Sequence, residues 1–231
     1  MDNNEVAIIG GAGFIGTRLS ARFKKGNIFS NKYDINSSNS LDGSIYLDVE
    51  DINSLDKLSN VRTIINLAAV HRDDVRPLRR YDDVNVQGAK NVCQAACKHG
   101  INQIIFTSSV AIYGFAPADT DESGEINYFN NYGRTKYLAE QVYKAWQEED
   151  PKRRTLVIVR PTVIFGEGNR GNVYNLLRQI DSRRFVMTGN GSNKKSMAYV
   201  ENISAFLEYC LSFKPGLHIY NYIDKPDFDM N

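Results

Sequence analysis

Tyr132 and Lys136 stand at i and i+4 in a stretch, Asn131–Glu148, whose apolar spacing predicts a helix, so they share one helical face. A free tyrosine, with a pKa of about 10, keeps its proton at neutral pH. Positive charge beside the ring favours the phenolate. The pair therefore reads as a proton acceptor with its electrostatic support. The spacing alone is common on protein surfaces. What lifts it is the segment Thr107-Ser108-Ser109-Val110-Ala111-Ile112-Tyr113-Gly114, at the end of a strand predicted over 103–108. In open α/β sheets ligands bind outside the carboxyl ends of strands, where the Ser109 hydroxyl can hydrogen-bond a reacting oxygen.

A second cluster lies near the start of the chain. Gly10-Gly11-Ala12-Gly13-Phe14-Ile15-Gly16 joins a strand predicted over 6–9 to a helix predicted over Phe14–Lys25. Gly10, Gly13 and Gly16 have the spacing G-x-x-G-x-x-G. In that context one glycine permits the sharp turn, one admits a diphosphate to the backbone, and one lets the helix pack on the strand. The helix N-terminus favours the anion. Asp34 ends the next predicted strand, 27–33, and suits the adenosine ribose hydroxyls. It would repel the extra phosphate of NADP, so NAD is the expected cofactor. Lys32 nearby keeps NADP open.

These residues need a scaffold, and the rest of the chain predicts one. Short apolar runs at 44–47, 63–67 and 155–159 alternate with helical patterns, including a long one at 81–99 that Gly100 is placed to end. This is the pattern of a parallel sheet with helices on both faces, an α/β Rossmann-type doubly wound fold. After Pro161 the rhythm changes: helices are expected over 173–180 and 202–211, with an extended run over 185–188. The expected division is a cofactor-binding domain over 1–160 and part of a substrate-binding region over 161–231, interleaved with the core.

Bulk properties narrow the function classes. Apolar residues make up 42% and charged residues 24%, with a formal net charge of +1, so there is no global electrostatic case for nucleic acid. The three cysteines, Cys93, Cys97 and Cys210, form no disulfide framework. Cys93 and Cys97 read as small helix residues rather than metal ligands, and no metal is expected. No apolar run has the length of a membrane span, and a cytoplasmic location is expected.

Taken together the motifs resemble the extended short-chain dehydrogenase/reductase family over essentially the whole chain. They are the glycine turn, Asp48-Val49, Asn66-Leu67-Ala68-Ala69, Val84-Asn85-Val86-Gln87-Gly88, the serine segment, Tyr-x-x-x-Lys, and Arg160-Pro161 leading to Phe165-Gly166. The resemblance implies Ser109, Tyr132 and Lys136 as a catalytic triad. It implies a cofactor site of Gly10, Gly13, Phe14, Ile15, Gly16, Asp34, Asp48, Val49, Leu67, Ala68, Ala69, Asn85, Thr107, Tyr132, Lys136 and Pro161. Dehydratases of the family carry an Asp-Glu pair where this chain has Val110-Ala111, which argues against elimination.

Within the family, 68–75, 160–167, 169–177 and 195–200 are similar to the branch that converts N-acetylglucosamine to N-acetylgalactosamine on undecaprenyl diphosphate for O-antigen synthesis. Nucleotide-sugar epimerases usually carry an arginine where Lys195 stands and an aspartate where Ser196 stands. The implied substrate contacts are His71, Arg72, Ser109, Arg170, Asn172 and Lys195, with Lys194 nearby. A UDP-sugar 4-epimerase and a non-catalytic NAD-binding protein are the competing readings. Arg72, Arg76, Arg79 and Arg80 form a basic cluster that suits diphosphate, a membrane surface or plain solvent. The family often dimerises through the helices at 81–99 and Asn131–Glu148, so a homodimer is implied. Family members commonly run longer, so the distal substrate region is expected to be missing here.

Overall fold

Alternation along the buried strands splits the core into two layers. Val6, Ile8, Ile65, Ile105, Val157 and Val159 point to one side of the sheet, while Ala7, Ile9, Ile64, Ile104, Leu156 and Ile158 point to the other. Burial on both faces explains why these strands read as continuous apolar runs. The fold is that of a computed structural model, which describes residues 5–37, 43–169, 171–183, 185 and 195–228. The main sheet contains β1 (Glu5–Ile9), β2 (Ser30–Asp34), β3 (Ile45–Tyr46), β4 (Val61–Asn66), β5 (Gln103–Thr107), β6 (Thr155–Pro161) and, from late in the chain, β9 (Gly216–Tyr222). Its order is β3-β2-β1-β4-β5-β6-β9, with every neighbouring pair parallel.

Helices cover both faces. On one, α1 (Phe14–Lys25) and α6 (Val200–Tyr209) bury Leu19, Phe23, Ile203 and Leu207. On the other, α3 (Gly88–His99) and α4 (Asn131–Glu148) bury Ala89, Val92, Ala139 and Tyr143. A short helix, α2 (Arg79–Tyr81), and a π-helical segment (Asp82–Gln87) run directly into α3. The helix expected over 81–99 is thus one rod with a wide turn inside it. Gly100 ends it in the left-handed conformation, φ 68°. The second strand starts later than its apolar pattern predicts, because Asn27 adopts φ 55° and turns the chain after α1.

Beyond Pro161 the chain leaves the sheet and returns to it. β7 (Val163–Phe165), β8 (Lys195–Tyr199) and β10 (Asp224–Phe228) form a small second sheet. α5 (Asn172–Asp181) lies between β7 and β8 in sequence. Of the extended run expected over 185–188, Phe185 has no regular structure and the rest lies outside the described residues. No helix among the described residues is long and apolar enough to cross a membrane.

The order reverses beside β1, since β2 lies on one flank and β4 on the other. Backbone bonds close that crevice: Gly10 and Gly11 N–H donate to Tyr33 O, and Leu67 N–H donates to Ile9 O at 2.9 Å. Gly16 brings α1 down onto the turn. A Cβ there would lie 2.5 Å from Gly10 O and 2.6 Å from Gly11 Cα. Gly16→Ala is therefore expected to destabilise the fold by roughly 1–3 kcal/mol through overpacking, read as a lower urea midpoint at unchanged slope.

Candidate active site

The glycine turn presents an open anion cradle. Gly10 has φ 78°, and a Cβ on it would sit 2.8 Å from Ala68 N, so the turn is pressed against the loop after β4. Gly13 is exposed and caps α1 with no side-chain hydrogen bond, and the first turn of α1 carries no acidic residue. A Cβ on Gly13 would meet only Gly10 O, at 3.1 Å. Backbone donors, a helix N-terminus and open space fit a diphosphate. Phe14 and Ile15 follow, half-buried.

Asp34 is aimed at this turn. Its Oδ2 accepts Ala12 N–H at 3.0 Å and its Oδ1 accepts Asn36 N–H at 2.9 Å. Asp48 holds the next loop, accepting Glu50 N–H at 2.9 Å while its own N–H donates to Ser54 Oγ. This seats Val49 against Gly88, where a Cβ would lie 2.8 Å from Val49 Cγ2. Leu67, Ala68 and Ala69 are half-buried along the crevice, and Pro161 is buried at the end of β6.

Asn85 is buried in the π-helical segment, and its whole amide is engaged by protein partners. Oδ1 accepts Val70 N–H, and Nδ2 donates to Val70 O and Thr135 Oγ1. What it visibly does is tie the loop after β4 to α4. The motif around it marked Asn85 out, but its partners could not be read from spacing.

The three chemistry-bearing side chains come together where β5 ends. Ser109 caps a 3₁₀ turn (Val110–Tyr113), its Oγ accepting Ala111 N–H at 3.1 Å. Asn130 caps α4 by accepting Gly133 N–H at 2.8 Å. A Cβ on Gly133 would lie 2.4 Å from Ala111 O, so only glycine lets α4 start this close to the serine turn. That approach brings the Tyr132 hydroxyl beside the Ser109 side chain. One turn on, Lys136 is buried. Its Nζ donates to Thr107 O at 2.6 Å and lies 4.6 Å from the Phe106 ring centre and 5.9 Å from that of Tyr132. Thr107 in turn donates through Oγ1 to Asn66 O.

Burial dominates the charge state of both groups. It pushes the Tyr132 hydroxyl up to about 12, opposed by the hydrogen bond from Ser109. It lowers the Lys136 ammonium to about 7, opposed by the Glu140 carboxylate. The lysine was expected to pull the tyrosine toward phenolate, but the protein's own groups leave desolvation ahead. Charge brought in from outside must tip the balance.

Glu140 escaped the sequence reading, and Arg160 entered it only as part of a motif, without its partner. Arg160 and Glu140 form a buried bidentate ion pair, with Nε–Oε1 at 2.9 Å and Nη2–Oε2 at 2.7 Å. The available signal was an arginine inside an otherwise apolar strand, which demands a buried partner.

The expected substrate side is only partly gathered. His71 and Arg72 are exposed beyond the loop after β4. Arg72 is already held bidentately by Asp74, Arg80 pairs with Glu50 at 2.6 Å, and Arg79 lies 3.9 Å from Asp83. The basic cluster is therefore a set of ion pairs, with Arg76 donating to the carbonyls of Asp73 and Val75. Arg170 and Lys194 lie outside the described residues. Asn172 opens α5, and its side chain lies outside them too. Lys195 begins β8, half-buried. A cavity of about 210 Å³ opens between β7, α5 and Tyr199, lined by Phe165, Asn169, Val173, Tyr174 and Leu177.

Comparison with known proteins gives the family. Residues 6–221 match the NAD dependent epimerase/dehydratase family, and the chain belongs to that family. It is 48% identical to an N-acetyl-alpha-D-glucosaminyl-diphospho-ditrans,octacis-undecaprenol 4-epimerase of Escherichia coli O157:H7, over 99% of this chain and 70% of that relative. A UDP-glucose 4-epimerase of Vibrio cholerae is 24% identical, over 89% of this chain and 66% of that protein. The fold matches the crystal structure of a Thermus thermophilus UDP-glucose 4-epimerase in complex with NAD, at a TM-score of 0.83 and 18% identity. That match covers 98% of this chain and 79% of the other.

The buried lysine yields a stability prediction. Its folded pKa, about 7, lies below the ordinary 10.5. The unfolded chain thus binds more protons between those values, and stability rises with pH across that window. Below about pH 7 the cost of the buried ammonium is fully present. Lys136→Met is expected to remove this slope and to be more stable than the native chain at neutral pH. Urea denaturation of both proteins from about pH 6 to about pH 10 measures it, and parallel curves would contradict the burial of this charge.

Proposed function

We propose that the protein is an NAD-dependent 4-epimerase acting on an N-acetylhexosamine carried on undecaprenyl diphosphate, interconverting the N-acetylglucosamine and N-acetylgalactosamine forms. The observation that carries the chemistry is the Ser109–Tyr132 hydroxyl pair backed by buried Lys136, beside a glycine turn built for a diphosphate. The carrier rests on the 48% identity to a relative of that activity. Gly10, Gly13, Phe14, Ile15 and Gly16 would hold the cofactor diphosphate, and Asp34 its adenosine ribose. Asp48 and Val49 would flank the adenine, with Leu67, Ala68, Ala69, Thr107 and Pro161 lining the remainder.

When bound, the cofactor supplies a reversible hydride acceptor for the sugar C4. Tyr132 takes the proton of the C4 hydroxyl and later returns it, with Ser109 sharing the same oxygen. Lys136 in its ammonium form lowers the cost of the phenolate. The sugar passes through a 4-keto form, which must turn over before C4 is rebuilt with the opposite configuration. Nothing is consumed, so the reaction is an isomerisation.

His71, Arg72, Arg170, Asn172 and Lys195 remain the candidates for the substrate side. A lipid-carried substrate places turnover at the cytoplasmic face of the inner membrane, with the enzyme associated peripherally. α3 and α4 are the faces through which a homodimer would form.

The test is C4 epimerisation of undecaprenyl-diphosphate-linked N-acetylglucosamine by this chain with NAD, with UDP-N-acetylglucosamine in parallel. Conversion of the lipid-linked sugar is expected, and conversion of the UDP-sugar alone would move the protein to the nucleotide-sugar enzymes. Tyr132→Phe should lose at least about 100-fold in rate, as for a missing acid–base group, while still binding NAD. Substantial turnover in that variant would remove Tyr132 from the mechanism.

A further inference from the structure

The most deeply buried charges outside the proposed chemistry are Glu140 and Arg160, at 0% and 3% exposure. Glu140 lies one helical turn beyond Lys136 on the same face of α4, so its carboxylate backs the lysine. Arg160 projects from β6 and holds both carboxylate oxygens. Its remaining Nη1 donates to the Tyr113 hydroxyl and to Glu122 O. Tyr113 donates onward to Asn221 Oδ1 on β9, and Asn221 N–H donates to Glu122 Oε1. Since Tyr113 ends the 3₁₀ turn that Ser109 caps, one guanidinium connects the helix carrying Tyr132 and Lys136 to the turn carrying Ser109.

The charges around Lys136 can be named element by element. From α4 it faces Glu140 and Tyr132, and Lys144 Nζ stands 3.9 Å from Glu140 Oε2. Tyr143, also on α4, packs tilted against Phe106, and its hydroxyl accepts from Asn66 Nδ2. β5 offers the Thr107 carbonyl and the Phe106 ring, neither of which titrates. The serine turn carries Ser109 and Tyr113, and β6 carries Arg160, which reaches Lys136 only through the Glu140 carboxylate it holds.

We propose that Glu140 and Arg160 are positioning residues for the proton-handling group: Glu140 holds Lys136 toward its ammonium form, and Arg160 limits that pull while pinning the Ser109 turn. The pair touches neither the sugar nor the cofactor cradle in this scheme and acts through Lys136. The proposal rests on the reading of Lys136 as part of the chemistry. The electrostatic half of it can be tested without any turnover.

The two partners must act with opposite signs. Glu140→Gln removes the negative charge and leaves the guanidinium uncompensated, so Lys136 gives up its proton at lower pH. Arg160→Met leaves the carboxylate uncompensated, so Lys136 keeps its proton to higher pH. The double variant has neither charge and falls between Glu140→Gln and the native protein. A purely structural role would lower stability in both single variants and leave the lysine's midpoint where it was.

The direct measurement is an NMR pH titration of protein isotopically labelled at the lysine Cε carbons, with the Lys136 signal assigned by its loss in Lys136→Arg. The expected order of midpoints is Arg160→Met, native, double variant, Glu140→Gln, from high to low, with single-variant shifts of roughly half a unit or more. Shifts of the same sign, or none in folded variants, would overturn the proposal. Removing one member of a buried pair is costly, so a single variant that fails to fold is replaced by the double variant, which keeps no lone buried charge. A double-variant midpoint at or above the native value then overturns it. In turnover, the alkaline limb of kcat/KM should follow the same order. The midpoint order without the kinetic order would fault the reading of Lys136 as part of the chemistry and leave the electrostatic coupling standing.

Discussion

Lys136 is an amine held out of water, where burial works against its charge and a few neighbours work for it. The Thr107 carbonyl accepts its hydrogen bond at 2.6 Å, the Phe106 ring lies beneath it, and Glu140 supplies opposite charge. Each of these needs α4 seated tightly on β5. The seating depends on a glycine at 133, because any side chain there would strike Ala111. The same close approach puts Tyr132 against Ser109. One demand, a hydrogen-bonded seat for a buried lysine at the end of a strand, goes together with the register of the helix and the turn before it.

Much of this was legible in the sequence, for physical reasons. α1 and α4 fall where their apolar periodicity puts them, because each packs one face on the sheet. The glycine turn was legible because Gly10 and Gly16 answer to backbone contacts that a side chain would break. Ser109, Tyr132 and Lys136 converge as their motifs implied. Other features depend on partners remote in the chain. Nothing in Asn85 itself announces Val70 and Thr135, and a π-helical turn leaves no apolar period to detect. Of β9 only His218 reads as a strand residue in the sequence, because the strand's seven residues follow a stretch of broken rhythm. Its neighbour in the sheet is β6, far earlier in the chain.

The arginines of α2 and of the segment before it show how charge counting misleads. By composition, Arg72, Arg76, Arg79 and Arg80 form a basic cluster. In the fold, Asp74, Asp83 and Glu50 answer three of them. Exposed pairs of this kind contribute little stability and leave little net field. Arg160 is the reverse case: one arginine in an apolar strand, its guanidinium shared between buried Glu140 and Tyr113 and the Glu122 carbonyl.

The return of the chain to the main sheet sets a limit on dissection. β9 pairs with β6 over seven registered positions, from Thr155 with Gly216 to Pro161 with Tyr222. A fragment ending near Pro161 would retain every glycine of the turn together with Ser109, Tyr132 and Lys136. It would also carry β6 as a bare parallel edge, apolar on both faces and lacking its neighbour. Such an edge invites pairing with other chains. The cofactor-binding half is thus not a detachable module: its solubility is secured by a strand encoded after the substrate-side segments.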